Sequence, residues 1–152
     1  MLTRKLEALK LPLLFDPDER WNYGINIDWA GQMVEAVSGQ CLGEYLRQNI
    51  FEPLEMNSSG YSPNGDMTAR QAGMHLRGSD GELFLPEYAE PLPEREFDTG
   101  GMGLFSTMQD YARFHGVFLN QGSHDGWQAL LPDTIAMMSA DQMGENRGTP
   151  MN

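Results

Sequence analysis

The sequence has little cysteine, little positive charge and no long apolar run, and each scarcity excludes a class of protein. A single cysteine excludes an internal disulfide framework and any zinc site built from several cysteines. The chain has 10 basic and 22 acidic residues, and the net charge of −12 argues against a nucleic-acid partner and against binding to an anionic membrane surface. No stretch of roughly 18 apolar residues is present, so we expect no membrane span.

The beginning of the chain is rich in leucine and contains Arg4 and Lys5, as a signal peptide would. However, Glu7, Lys10 and Pro12 interrupt the apolar run, and no small-residue cleavage site follows. We therefore expect no signal peptide in this chain. The sequence leaves the compartment unknown, with the cytoplasm as the default.

The length and the apolar content are sufficient for a domain with a core. The chain has 152 residues, which suits one domain, and 40% of them are hydrophobic, which excludes a disordered chain. One helix, over residues 27–38, is indicated by apolar residues that share a face: Ile27, Ala30, Met33, Val34 and Val37. Asn26 or Asp28 could cap its start, and Gly39 suits a left-handed end.

Similar spacing predicts four more helices. Three of them cover residues 3–10, 42–49 and 132–142, and the fourth begins at residue 106 or 107. Residues 72–86 differ, because leucines alternate with polar residues on both sides of a turn that ends in Asp80-Gly81, which is typical of a β-hairpin. Residues 57–66 and 122–126 are predicted to be a loop and a turn. The predicted fold is therefore mainly α with one small β-hairpin.

Most motifs that could carry chemistry are weak. The histidines, His75, His115 and His124, are isolated from one another, so neither a metal nor a cofactor is expected. Cys41 has a glycine two residues away on each side, as in a nucleophile elbow, but a predicted helix precedes it where the elbow needs a strand. The glycine-rich run at 100–103 lacks the Lys-Ser/Thr of a phosphate-binding loop.

Tyr23 is the stronger candidate, because it lies at the junction between a loop and the helix predicted over 27–38. Tyrosine is an uncommon but accepted general base. From spacing alone, Tyr23 could also be a buried aromatic residue whose hydroxyl is hydrogen-bonded inside the protein. The residues by themselves leave both interpretations open.

Several segments together resemble the serine β-lactamase-related family, which includes class C β-lactamases and family VIII carboxylesterases, and they resemble the esterase branch most. The order and spacing match from residue 11 to 143. The segments are Pro12-Leu13-Leu14-Phe15-Asp16-Pro17, Trp21-Asn22-Tyr23-Gly24, Glu35-Ala36-Val37-Ser38-Gly39, Ile50-Phe51-Glu52-Pro53-Leu54-Glu55-Met56 and Gly100-Gly101-Met102-Gly103-Leu104-Phe105-Ser106-Thr107, followed by Asp110-Tyr111-Ala112-Arg113-Phe114.

In that family a Ser-x-x-Lys motif supplies the nucleophile, a Tyr-x-Asn motif supplies the general base, and a Lys-Thr-Gly-type motif helps to bind substrate. The resemblance implies that Tyr23 is the general base. Ile25 stands where β-lactamases carry Asn, a change that the esterase branch tolerates. Glu55 replaces the glycine of a Pro-Leu-Gly-Met turn, and a positive φ there would cost it steric energy.

The positions of the lysines show that the chain lacks two catalytic motifs of this family. Lys5 and Lys10 are the two lysines of the chain, and Leu2 and Glu7 stand three residues before them, so no Ser-x-x-Lys exists. Neither lysine begins a Lys-Thr-Gly motif; His124-Asp125-Gly126 resembles a variant of it in letters alone and lies in a predicted turn. The resemblance therefore implies a partial domain over 1–152, the helical region of the β-lactamase/transpeptidase-like fold, truncated at both ends.

Three functional hypotheses follow. The first is a fragment of a serine hydrolase that, when complete, hydrolyses small-molecule esters or β-lactams through an acyl-enzyme, while the isolated chain is inactive. The second is a non-catalytic helical binding or interaction module derived from that family. The third sets the resemblance aside and takes the chain as an acidic helical domain of unassigned role. We further expect exposed apolar helix faces and self-association through them.

Overall fold

A computed structural model describes residues 5–17, 19–85 and 95–143, and over these residues the chain is mainly helical with two small hairpins. The helices are α1 (Asn26–Ser38), α2 (Leu42–Leu46), α3 (Gly65–Ala69), α4 (Met108–Leu119) and α5 (Pro132–Met138). The strands are β1 (Leu76–Arg77), β2 (Leu83–Phe84), β3 (Ser123–His124) and β4 (Trp127–Gln128). The predicted fold class, mainly α with a small hairpin, is confirmed.

Helix α1 ends as the sequence predicts but begins differently. Gly39 has φ 72° and ends the helix in the left-handed conformation that glycine adopts without steric cost. The cap position at the start belongs to Ile25, whose side chain makes no capping hydrogen bond, so the prediction of a cap at Asn26 or Asp28 was wrong. Asp28 is buried instead, and its carboxylate is used in a long-range contact described below.

The helix predicted over residues 42–49 consists of an α-helical part followed by a π-helical turn. Helix α2 ends at Leu46, and a π-helical turn over Arg47–Phe51 continues it beyond the predicted end at residue 49. The π turn brings Phe51 into the core, and the chain then turns at Glu55, which has φ 53°. The left-handed conformation expected at this position is therefore present, on a residue with a Cβ.

The main core lies where the π turn meets helix α4. Its buried members are Phe51, Leu54, Met56 and Val117, with Leu54 only 1% exposed. Aromatic residues of α4 and Trp127 of β4 pack around these four. Helix α4 begins as predicted, since Thr107 caps it by accepting a hydrogen bond from the Asp110 N–H at 3.2 Å.

The predicted hairpin is present, and a second one follows α4. Strands β1 and β2 pair antiparallel, with Leu76 opposite Phe84, and Gly81 in the turn has φ 87°. Strands β3 and β4 pair around Asp125-Gly126, where both residues have positive φ (46° and 83°), the geometry that a two-residue type I′ turn requires. The sequence predicted the turn here but not the short strands that flank it.

Three other boundaries needed correction. Residues 3–10 were predicted to be a helix, but the described part of that segment is a single 3-10 turn, Leu6–Leu9. The loop predicted over 57–66 is interrupted by α3, because the Asn64 side chain accepts a hydrogen bond from the Met67 N–H at 2.9 Å. Helix α5 has Pro132 at its start, as predicted, but ends at Met138 rather than at residue 142.

The apolar helix faces are exposed. Val37 at the end of α1 is 89% exposed and Met108 at the start of α4 is 86% exposed. In the described ranges, no helix combines the length and the apolar character that crossing a membrane would need. The exposed faces meet the expectation from the sequence, while self-association through them stays a prediction.

Candidate active site

Tyr23 lies in the loop that leads into α1, and its side chain is 76% exposed. The alternative of a buried aromatic residue is therefore wrong. The Asn22 side-chain amide donates a hydrogen bond to the Tyr23 carbonyl oxygen at 3.2 Å, which fixes the backbone just before the helix. Because the ring is open to solvent, its hydroxyl can meet a molecule from outside.

The ring of Tyr23 lines a groove of about 590 Å³, which we call the Tyr23 groove. Most of its wall is aliphatic or aromatic, and its apolar lining includes Leu9, Leu13, Leu14, Phe15 and Trp29. This volume is within the range of about 300–1,000 Å³ that is usual for small-molecule sites. Leu13 and Leu14, each 77% exposed, place apolar surface next to Tyr23 that a hydrophobic ligand could cover.

The glycine-rich run at 100–103 packs against the start of α1, the helix that follows the Tyr23 loop. The Gly101 N–H donates a hydrogen bond to the Asp28 carboxylate at 3.1 Å, and Asp28 is only 3% exposed. Gly100 lies so close to α1 that a Cβ on it would overlap the carbonyl oxygen of Ile27. The run at 100–103 therefore has a packing role, in keeping with its lack of a phosphate-binding motif.

A second group of contacts fixes the segment that precedes this run. The Tyr61 hydroxyl donates a hydrogen bond to the Thr99 carbonyl oxygen at 2.6 Å. The Asp98 carboxylate accepts from the Gly43 N–H at 3.0 Å and pairs with Arg95 at 2.8 Å. Burial, reinforced by the Asp98 carboxylate, raises the pKa of Tyr61 to about 12. Tyr61 is thus a neutral hydrogen-bond donor at neutral pH and serves the fold.

The remaining candidates from the sequence are separate from Tyr23. His115 packs against Tyr111 of α4, with ring centroids 4.4 Å apart, and His124 lies on β3 beside Asp125. Cys41 is exposed and precedes α2, after a helix and a short turn, as the sequence predicted. In the part of the chain that the structure covers, no group of three His, Cys, Asp or Glu side chains could hold a metal ion.

Comparison with known proteins now gives the family. A family model described as Beta-lactamase matches residues 5–151. The chain belongs to the β-lactamase family. The resemblance to the serine β-lactamase-related family that was inferred from the ordered segments is therefore confirmed.

Relatives within the β-lactamase family include enzymes of acyl transfer and ester hydrolysis. The chain is 34% identical over 131 residues to a monacolin J acid methylbutanoyltransferase of Aspergillus terreus, covering 84% of this chain and 30% of the enzyme. It is 33% identical over 142 residues to a lovastatin esterase of Penicillium rubens, covering 91% of this chain and 35% of the esterase. The chain thus spans about a third of the length of these relatives.

The fold agrees with a solved structure of the same family. An unliganded simvastatin synthase from Aspergillus terreus superposes with a TM-score of 0.74 at 32% identity, covering 86% of this chain and 32% of the synthase. The helical arrangement described above is therefore a portion of the β-lactamase-type fold.

Sequence reasoning singled out Tyr23 as a candidate but missed residues in its surroundings. Asp28 was one of two candidate helix caps, with Asn26, and nothing in the local pattern indicated its contact with Gly101, which is 73 residues away. Arg20, whose guanidinium lies over the Phe15 ring at 4.3 Å from the centroid, was not singled out either. An arginine close in sequence to both an aromatic residue and the candidate base was the available signal.

Proposed function

We propose that this chain contributes the general base and part of the substrate groove to a serine hydrolase or acyltransferase that works through an acyl-enzyme. The observation that carries the proposal is the exposed Tyr23 ring in an apolar groove, at the position that matches the tyrosine of the family motif. Membership of the β-lactamase family supports the reaction class. The groove supports a small hydrophobic substrate.

In the proposed reaction the serine oxygen attacks an ester or lactam carbonyl carbon to form an acyl-enzyme; an ester releases its alcohol, whereas in a lactam the C–N bond breaks and the amine stays attached to the acyl group. Tyr23 takes the proton from the serine hydroxyl and passes it to the leaving group, so it acts first as a base and then as an acid. Two backbone N–H groups stabilise the oxyanion. Water or an acceptor alcohol then attacks the acyl-enzyme, which gives hydrolysis or acyl transfer respectively.

Ester chemistry is the preferred alternative. Ile25 stands in place of the Asn that β-lactamases carry in the tyrosine motif. The names of the two relatives specify a methylbutanoyl transfer involving monacolin J acid and an esterase reaction on lovastatin. These names support a hydrophobic ester as the substrate of the protein to which this chain corresponds.

The isolated chain is proposed to be inactive, because it contains no Ser-x-x-Lys motif. The rival hypothesis of a non-catalytic binding module rests on the same absence together with the groove, which could bind a ligand without any reaction. Two experiments separate these alternatives.

The first experiment treats the purified 152-residue chain with a fluorophosphonate or penicillin probe. We expect no stoichiometric labelling, since the nucleophile is missing. One mole of probe bound per mole of chain would overturn the inactivity of the isolated chain.

The second experiment grafts this chain into the lovastatin esterase of Penicillium rubens in place of the matching segment, so that the esterase supplies the serine and the lysine. We expect the chimera to hydrolyse a p-nitrophenyl ester, and Tyr23→Phe to lower kcat by about 10²–10⁴-fold. Tyr111→Phe, at an exposed tyrosine of α4, is the control that should keep the activity. A folded chimera without activity favours the binding module, and an active chimera indifferent to Tyr23→Phe removes Tyr23 from the mechanism.

A further inference from the structure

A second cavity lies between the end of α3 and the segment that leads into α4, and we call it the Ser106 cleft. Its volume is about 470 Å³, and it shares no lining residue with the Tyr23 groove. That volume is within the range of about 300–1,000 Å³ that is usual for small-molecule sites. Two backbone hydrogen bonds between Gly60 and Phe105, of 3.0 and 2.8 Å, fix the wall that Phe105 contributes.

The charge in this cleft is already compensated. Among the described residues that line it, Arg70 is the charged one. Its guanidinium donates to the Asp66 carboxylate from Nε at 3.1 Å and from Nη2 at 2.6 Å, and Nη2 also donates to the Ser58 hydroxyl at 3.1 Å. The cleft therefore gives no strong preference to a cation or to an anion, and it suits a neutral ligand.

A chain of hydrogen bonds sets the direction of the Ser106 hydroxyl. The Asp110 carboxylate is only 4% exposed and accepts a hydrogen bond from the Ser59 hydroxyl at 2.9 Å. A hydroxyl has one hydrogen, so Ser59 must accept in its 2.8 Å bond with Ser106, and Ser106 is the donor. Ser106 is exposed and lines the cleft, where its oxygen can accept a hydrogen bond from a ligand.

Two other hydroxyls in the wall have the opposite role. The Thr107 hydroxyl oxygen accepts from the Asp110 N–H at 3.2 Å, and the Ser58 oxygen accepts from Arg70. Among the described residues this leaves both hydroxyl hydrogens free to be donated to a ligand. The exposed Gln71 side chain offers a donor and an acceptor in one amide group. The wall of the cleft thus presents donors and acceptors together.

We propose that the Ser106 cleft binds a neutral polyhydroxylated molecule, such as a sugar ring. Every hydroxyl of such a molecule can both donate and accept, which matches the mixed wall. The carbon skeleton of the ring contacts Leu104, which is 43% exposed, and the half-buried Phe105. This binding site goes beyond the proposed function, because it involves neither Tyr23 nor any reaction.

The test measures binding of three small rings to the 152-residue chain by the shifts of its ¹H–¹⁵N NMR signals. The probes are methyl β-D-glucopyranoside, cyclohexanol and glucuronate. We expect saturable binding of the glucoside, about 10-fold tighter than that of cyclohexanol, which has a single hydroxyl. Glucuronate should bind no more tightly than the glucoside, because Arg70 is already paired with Asp66. The side-chain amide signal of Gln71 should shift with the glucoside.

Variants at two exposed positions of the wall locate the site. Ser106→Ala removes the oriented acceptor and Gln71→Ala removes the amide, and each should weaken glucoside binding by about 3–10-fold. Ser79→Ala is the matched control, because Ser79 is exposed in the turn between β1 and β2 and does not line the cleft. Circular dichroism of each variant confirms that the fold is kept before affinities are compared.

The proposal is overturned if the glucoside gives no saturable shifts or if cyclohexanol binds as tightly. Tighter binding of glucuronate would make the cleft an anion site instead. Equal weakening by Ser106→Ala and Ser79→Ala, or full affinity in both Ser106→Ala and Gln71→Ala, would also overturn it. Each of these outcomes leaves the proposed function untouched, since that function is tested through Tyr23 in the chimera.

Discussion

The buried carboxylate of Asp28 accepts a hydrogen bond from the backbone N–H of Gly101 at 3.1 Å, across 73 residues of sequence. Asp28 lies in the first turn of α1, where a negative charge is also favoured by the helix dipole. The contact joins the start of α1 to the glycine-rich run. It thereby fixes the helix from which the Tyr23 loop extends.

Removing the Asp28 carboxylate should destabilise the fold. Asp28→Ala leaves the Gly101 N–H without its acceptor, and we expect a loss of about 1.5–3 kcal/mol in the free energy of unfolding, measured by urea denaturation. Asp28→Asn keeps an oxygen acceptor and should lose less. Asp133→Ala, at an exposed site in the first turn of α5, is the matched control. Equal losses for Asp28→Ala and Asp133→Ala would contradict a stabilising role for the contact.

Gly100 should not tolerate a side chain. A Cβ at this position would overlap the Ile27 carbonyl oxygen, which belongs to the backbone and cannot rotate away. We expect Gly100→Ala to lower the free energy of unfolding by about 1–3 kcal/mol in urea denaturation. Gly65→Ala is the control, because a Cβ added there would meet no atom within 4 Å and alanine suits a helix, so it should be neutral or stabilising. If Gly65→Ala lowered the free energy of unfolding more than Gly100→Ala does, the glycine run would not pack tightly on α1.

The sequence predicted the elements whose ends carry local chemistry. Gly39 ends α1 and Thr107 caps α4 because a left-handed glycine and a hydroxyl cap act within a few residues of the helix they delimit. The family resemblance likewise came from short ordered motifs. Helix ends and family motifs can both be predicted because each depends on residues that are close together in the sequence.

The parts that the sequence did not predict depend on distant contacts or on very short elements. The Asp28 contact with Gly101 has no local signature, so the sequence offered Asp28 only as an alternative to Asn26 for the helix cap. Strands β3 and β4 have two residues each, which is too short for an alternating pattern to be detected. The Tyr23 groove combines residues 9–15 with Asn26 and Trp29 of α1, and no spacing rule in the sequence predicts that these two segments line one groove.

Glycine at position 55 should stabilise the turn relative to alanine, because the backbone there has a positive φ. Its φ of 53° places the Cβ in the crowded left-handed region, while its carbonyl oxygen accepts from Arg113 at 2.5 Å and needs no particular side chain. We expect Glu55→Gly to be more stable than Glu55→Ala by about 0.5–1 kcal/mol, the relief of strain exceeding the greater freedom of glycine in the unfolded chain. Both variants remove the same carboxylate, so the difference in their urea midpoints isolates the backbone. An alanine variant as stable as the glycine variant would argue against strain at this turn.

Tyr61 should make the stability of the chain depend on pH in the alkaline range. Burial, with further contributions from the carboxylates of Asp98 and Asp28, raises its pKa to about 12, while Arg95 acts in the opposite direction. An unfolded tyrosine titrates near about pH 10. Between these values the unfolded chain has released a proton that the folded chain keeps. The contribution of Tyr61 is therefore fully present below about pH 10 and is lost as the pH rises toward 12.

Tyr61→Phe tests this dependence. Without the hydroxyl, the variant should lose about 1 kcal/mol at neutral pH, because the Thr99 carbonyl oxygen loses its donor. Between pH 10 and 12, its free energy of unfolding should fall less steeply than that of the parent chain, as measured by urea denaturation at several pH values. Tyr111→Phe, at an exposed tyrosine, should follow the parent slope. Parallel slopes for Tyr61→Phe and the parent would mean that the Tyr61 hydroxyl titrates alike in the folded and unfolded chains, and that its bond to Thr99 does not hold the phenol neutral.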